Sequence, residues 1–224
     1  MSTTRFCAIG TCLVFAAAGA AFAGPDWVEI GDAGSTLGNA QQTLGSGPLN
    51  SITGSLNGGS RLVPDFEDMY LIRVLDPVNF SMTLSGATFD AQLFVFNVTL
   101  ANEAFGLLAN DNTPSGNIPF VGPFANDGTG AALKNPGVYA IAISGAGRAP
   151  VSVNGLIFNF FSPTEISGPD GPGGINPHSG WTGQGLTGDY TITMTGVGFY
   201  NIPTPGSGVV LLGAAVAAAR RRRR

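Results

Sequence analysis

Through the middle of the chain, apolar residues recur at every second position. Residues 68–74 place Tyr70, Ile72 and Val74 on one side, the period of a half-buried β-strand. Residues 80–84 repeat it, with Phe80, Met82 and Leu84 inward and Ser81 and Thr83 outward. Residues 189–195 do so again, setting Tyr190, Ile192 and Met194 against three threonines. Residues 91–98 are almost continuously apolar, as expected of a central strand covered on both faces. Residues 104–109 read as its hairpin partner, and 137–143 and 151–161 as further strands. The polar, Gly- and Pro-bearing stretches 110–130 and 162–188 read as loops.

Many short alternating strands separated by turn signals predict an all-β protein, a β-sandwich of about eight strands in a jelly-roll-like form. The body of that sandwich is expected over residues 65–201. Residues 24–64, rich in Gly, Ser, Asn and Gln, read as an irregular N-terminal region with short strands near 27–30 and 51–56.

Both ends depart from this pattern. Residues 1–23 carry Arg5, an apolar run and then Ala21-Phe22-Ala23 before Gly24. That order describes a secretory signal peptide, helical and removed after Ala23. At the other end, Pro203-Thr204-Pro205-Gly206 precedes an apolar run and then Arg220, Arg221, Arg222, Arg223 and Arg224. The run from Gly206 to Ala219 reaches only about 21 Å as a helix, short of a bilayer core of roughly 30 Å. The arginines would stay on the cytoplasmic side.

This Pro motif, short apolar helix and Arg cluster resemble the PEP-CTERM class of bacterial C-terminal sorting signals, with Thr204 where the class has Glu. The resemblance implies recognition by a membrane-embedded exosortase, after signal peptidase has acted at the other end. It implies transient anchoring in the inner membrane, then delivery to the cell surface or extracellular matrix. The body resembles the bacterial pre-peptidase C-terminal domain family of secreted β-sandwiches. The segments carrying that likeness include 66–72, 89–96, 109–112, 136–143 and 188–194. The departure is the long 162–187 insertion. Such domains are accessory binding modules without catalysis.

Composition narrows the chemistry. Both cysteines, Cys7 and Cys12, fall in the signal segment, so a processed chain has no disulfide. All 14 acidic residues lie between the end segments, against four bases there, Arg61, Arg73, Lys134 and Arg148. The resulting charge of −10 argues against nucleic acid as a partner. His178 is the sole histidine and reads as an exposed loop residue, so zinc and a Ser-His-Asp arrangement have little to build on. Hard oxygens are better supplied. Asp65, Glu67 and Asp68 stand together at a strand entrance, and Asp90, Asp111 and Asn112 sit in or beside loops. Carboxylates and amides of this kind are calcium ligands, while Asp and Asn also favour turns for their own sake. Trp27, Tyr139, Trp181, Tyr190 and Tyr200 offer faces on which a sugar, such as an exopolysaccharide, could stack, although most of the tyrosines occupy inward strand positions.

The function expected is that of an exported, non-enzymatic surface or matrix protein. A carbohydrate- or protein-binding accessory module is the alternative. A jelly-roll glycoside hydrolase comes third, and requires two carboxylates facing an open groove.

Overall fold

A computed structural model describes residues 25–57 and 65–200. The expected cleavage residues Ala21, Ala23 and Gly24, the sorting residues Pro203 to Gly206 and Arg220 to Arg224, and both expected terminal helices lie outside them. The described residues are all-β, with no helix among them.

In chain order the strands are β1 (Asp26–Val28), β2 (Gln41–Gln42), β3 (Ser51–Leu56), β4 (Glu67–Val74), β5 (Ser81–Ala87), β6 (Ala91–Val98) and β7 (Ala104–Asn110). They continue as β8 (Phe120–Val121), β9 (Gly137–Gly145), β10 (Ala149–Ser152), β11 (Gly155–Leu156), β12 (Gly180–Thr182), β13 (Gly188–Thr195) and β14 (Val197–Phe199). One sheet has the order β1-β3-β13-β5-β8, and a second β14-β4-β9-β6-β7 with β2 also paired to β4. A small third sheet runs β11-β10-β12. Against the roughly eight strands expected, seven of these are six residues or longer, and the other seven are short, of four or fewer.

The alternating strands turn their apolar sides to a shared core. Ile52, Leu56, Met82, Leu84, Ile192 and Met194 enter it from the first sheet, and Tyr70, Ile72, Val74, Leu93, Val95, Ile141 and Ile143 from the second. Each fully buried side chain of this size contributes ~1.5–3 kcal/mol. The second sheet is also covered on its other face, where Met69, Leu71, Phe94, Phe96, Ala140 and Ala142 meet Ile157 and Phe158. This double burial explains why β6 shows no polar alternation. Phe94 lies 5.9 Å from the ring of Phe158 and 5.4 Å from that of Trp181.

Several segments differ from expectation. The stretch 151–161 is not one strand: Val151 pairs with Leu156 and Ser152 with Gly155, so Val153 and Asn154 form a tight turn. Beyond it, Ile157 and Phe158 are buried against the second sheet. The strand expected near 51–56 is present as β3, but it lies inside the first sheet, paired with both β1 and β13.

Candidate cation site

Strand β4 begins with two adjacent acids, and period two sends them to opposite faces. Asp68 shares the inward face with Tyr70 and is 0% exposed. Its Oδ2 accepts a hydrogen bond from the Tyr190 hydroxyl at 2.6 Å. The Tyr70 and Tyr190 hydroxyls lie 2.6 Å apart, so with Tyr190 committed to Asp68, Tyr70 donates to Tyr190. Asp68 Oδ1 is buried with no hydrogen-bond partner.

Asp32 and Asp65 meet Asp68 here. One carboxylate oxygen from each of the three lies within 4.8 Å of the others. Asp65 is 5% exposed; its Oδ2 accepts from the Asn57 amide at 2.9 Å, while Oδ1 has no partner. Asp32 sits in the turn after β1, where its Oδ1 accepts from the Gly34 amide at 2.7 Å. Gly34 has a φ of 75°, a conformation glycine adopts without strain. Its carbonyl accepts from the Met69 amide at 2.9 Å, which docks this turn beside β4. Glu29 stands behind, its carboxylate accepting from the Ala33 and Ser55 amides at 3.1 and 2.9 Å. Gly54 leaves the room: a Cβ there would collide with the Tyr190 hydroxyl and the Glu29 carboxylate.

The electrostatics are of one sign. Burial, reinforced by the charges of Glu29, Asp65 and Asp32, pushes the Asp68 carboxyl up to about 8 against the pull of the Tyr190 hydrogen bond. Burial also raises Asp65, with Asp32 and Glu67 adding to it, and raises Glu29, with Asp65 and Asp32 adding to it. Burial raises both tyrosines as well. Several carboxylates held together in a poorly solvated place must take up a proton or a cation. Calcium binds oxygens at 2.3–2.6 Å from all sides, so oxygens within 4.8 Å of one another can share one ion.

The six acids and amides singled out in the sequence therefore divide. Asp65 and Asp68 come together, joined by Asp32, which nothing in the sequence pattern singles out. Glu67 points the other way and is 3% exposed. It receives Arg148 through two hydrogen bonds, Nε at 2.7 Å and Nη2 at 3.1 Å. Asp90, Asp111 and Asn112 gather elsewhere, around the ends of β6 and β7.

The remaining candidates are structural in their surroundings. His178 is not an exposed loop residue; it is half-buried between Phe96 and Trp181, with ring centroids 5.2 and 5.3 Å away. Burial pulls its pKa down to about 4. Trp181 donates its indole N–H to the Ser35 carbonyl at 2.6 Å. Trp27, Tyr139 and Tyr190 are buried, so their faces pack against protein. Among the described residues, the surface concavity beside Tyr190 contains one carboxylate, Asp189. Comparison with family models, with curated proteins and with solved structures finds no match.

Proposed function

We propose that this protein is an exported, non-enzymatic component of the cell surface or extracellular matrix. Its body is a jelly-roll-like β-sandwich of the accessory-module kind, delivered by the PEP-CTERM-like signal at its C-terminus. Within it, Asp32, Asp65 and Asp68 hold a calcium ion that fastens the N-terminal turn to the sandwich. The observation that carries this reading is the meeting of three carboxylates, two of them buried with an unpartnered oxygen. Such a set is costly without a cation, and extracellular modules bind calcium at roughly 0.1–1 mM, where that ion is abundant outside the cell. A body without cysteine, which gains nothing from oxidising conditions, has reason to use a metal as its cross-link.

Fractionation of the producing cells, with mass spectrometry of the termini, tests the delivery. The expected product begins at Gly24, ends near Pro203 and is recovered from the surface or matrix. Recovery of the intact chain from the cytosol overturns the reading. Thermal melting with calcium and with chelator tests the ion.

A further inference from the structure

Beyond the carboxylates under Tyr190, a second group of oxygens collects on a different part of the same sheet. Asp90 immediately precedes β6, Gln92 is its second residue, and Asp111 and Asn112 immediately follow β7. Leu93 of β6 pairs with Asn110 of β7, so one step further along the ladder Gln92 comes opposite Asp111. Across the other edge of β6, Gln92 pairs with Ser144 of β9, which in turn pairs with Glu67. Gln92 thus belongs to the face that carries the Glu67–Arg148 pair, opposite to the face of Asp68.

Four oxygens in this group are buried without a hydrogen-bond partner: Asp90 Oδ1, Gln92 Oε1, Asp111 Oδ1 and Asn112 Oδ1. All four are acceptors. Gln92 is 7% exposed, and it stands near enough to Asp111 to pull that carboxyl down against the larger effect of burial. The other oxygens are already served. Asp90 Oδ2 accepts from the Asn117 side-chain Nδ2 at 3.1 Å, and Asp111 Oδ2 from the Asn112 side-chain Nδ2 at 3.1 Å. The local donors are therefore used on one oxygen of each carboxylate, leaving the other for a different partner. Burial, with the Asp90 charge added, holds the Asp111 carboxyl above its ordinary range.

A water molecule carries two donors, too few for four acceptors. A cation satisfies them together. Two carboxylates match the charge of a divalent ion, and two neutral amide oxygens suit calcium, which takes six to eight hard oxygens in flexible geometry, better than magnesium. We propose that Asp90, Gln92, Asp111 and Asn112 form a second calcium site, at the end of the β6–β7 hairpin. It shares no residue with the Asp32–Asp65–Asp68 set and does not depend on it. The ion clamps the β5–β6 corner, through Asp90, to the chain leaving β7. That chain is itself tied down by the Asn112 backbone N–H, which donates to the Pro163 carbonyl at 2.8 Å.

Equilibrium dialysis of the purified chain against radioactive calcium tests this, using the isosteric double variant Asp90→Asn/Asp111→Asn and the variant Asp68→Asn. Two ions per wild-type chain are expected, one in each variant protein and none in the combination. One ion in the wild type that disappears in the double variant supports this site and removes the buried-carboxylate one. Unchanged stoichiometry and affinity in the double variant overturn the proposal, as does a wild-type chain that binds no calcium. Should the double variant fail to fold, Gln92→Glu decides. A third carboxylate raises calcium affinity by about tenfold at a real site and lowers the melting temperature in chelator. Unchanged affinity in that variant overturns the proposal.

Discussion

Replacing Asp68 by Asn changes one atom type at a fully buried position, and its effect can be worked through. In chelator, the folded Asp68 carboxyl keeps its proton up to a pH of about 8, against 3.8 ordinarily. Between those values the unfolded chain has released a proton that the folded chain retains. Stability therefore falls as pH rises through this window; the contribution is full below the lower value and lost above the upper one. At ~1.4 kcal/mol per pH unit, the ceiling is about 4 kcal/mol between pH 5 and pH 8. For a domain of this size that corresponds to roughly 8–16 °C in Tm. Asp65 and Glu29, also raised, push the same way. Calcium reverses the trend at high pH, because the ion takes the proton's place. At about 10 mM calcium and a Kd of ~0.1–1 mM, the gain is ~1.4–2.7 kcal/mol, or about 3–10 °C. Differential scanning calorimetry at pH 5 and pH 8, in chelator and in calcium, reads all of this. The Asp68→Asn protein is expected to melt higher than wild type in chelator at pH 8, with a flatter pH profile and a smaller calcium response. Identical pH profiles for the two proteins, with no calcium shift at pH 8 in the wild type, refute the reasoning.

Arg148→Met leaves the Glu67 carboxylate buried and uncompensated, which costs about 3–5 kcal/mol; adding Glu67→Gln should recover most of it in the same melting experiment. Gly54→Ala drives a methyl group into the Tyr190 hydroxyl and the Glu29 carboxylate. A loss of about 1–3 kcal/mol is expected, together with a weaker calcium response measured by titration calorimetry. Phe94→Ala removes a ring that contacts Phe96, Phe158, Phe160 and Trp181. It should cost about 3–5 kcal/mol and speed hydrogen exchange in residues 157–182 before the rest of the protein.

The strands that alternate were legible because one side of each meets the core and the other does not. Phe80, Met82 and Leu84 are buried while Ser81 and Thr83 are only half so, and β13 behaves alike. The same periodicity separates Glu67 from Asp68, although their adjacency suggested a single cluster. Local pattern was silent wherever a segment owes its place to distant partners. The apolar run 151–161 is a hairpin followed by a cover, in which Ile157 and Phe158 are buried against the outer face of the second sheet. Gln92 does not stand out in the sequence, since it lies in an apolar run that reads as covered on both faces.

Amino-acid order alone thus settled the strand period and the all-β class, since burial of alternate residues is a local constraint. Which oxygens would face one another it could not determine. Asp32 reaches Asp68 through a glycine-turned loop held by the Gly34–Met69 hydrogen bond, and Asp111 reaches Gln92 through pairing of β6 with β7. Those meetings depend on how sheets and loops assemble in space, and charge converges there because distant backbone hydrogen bonds hold it together.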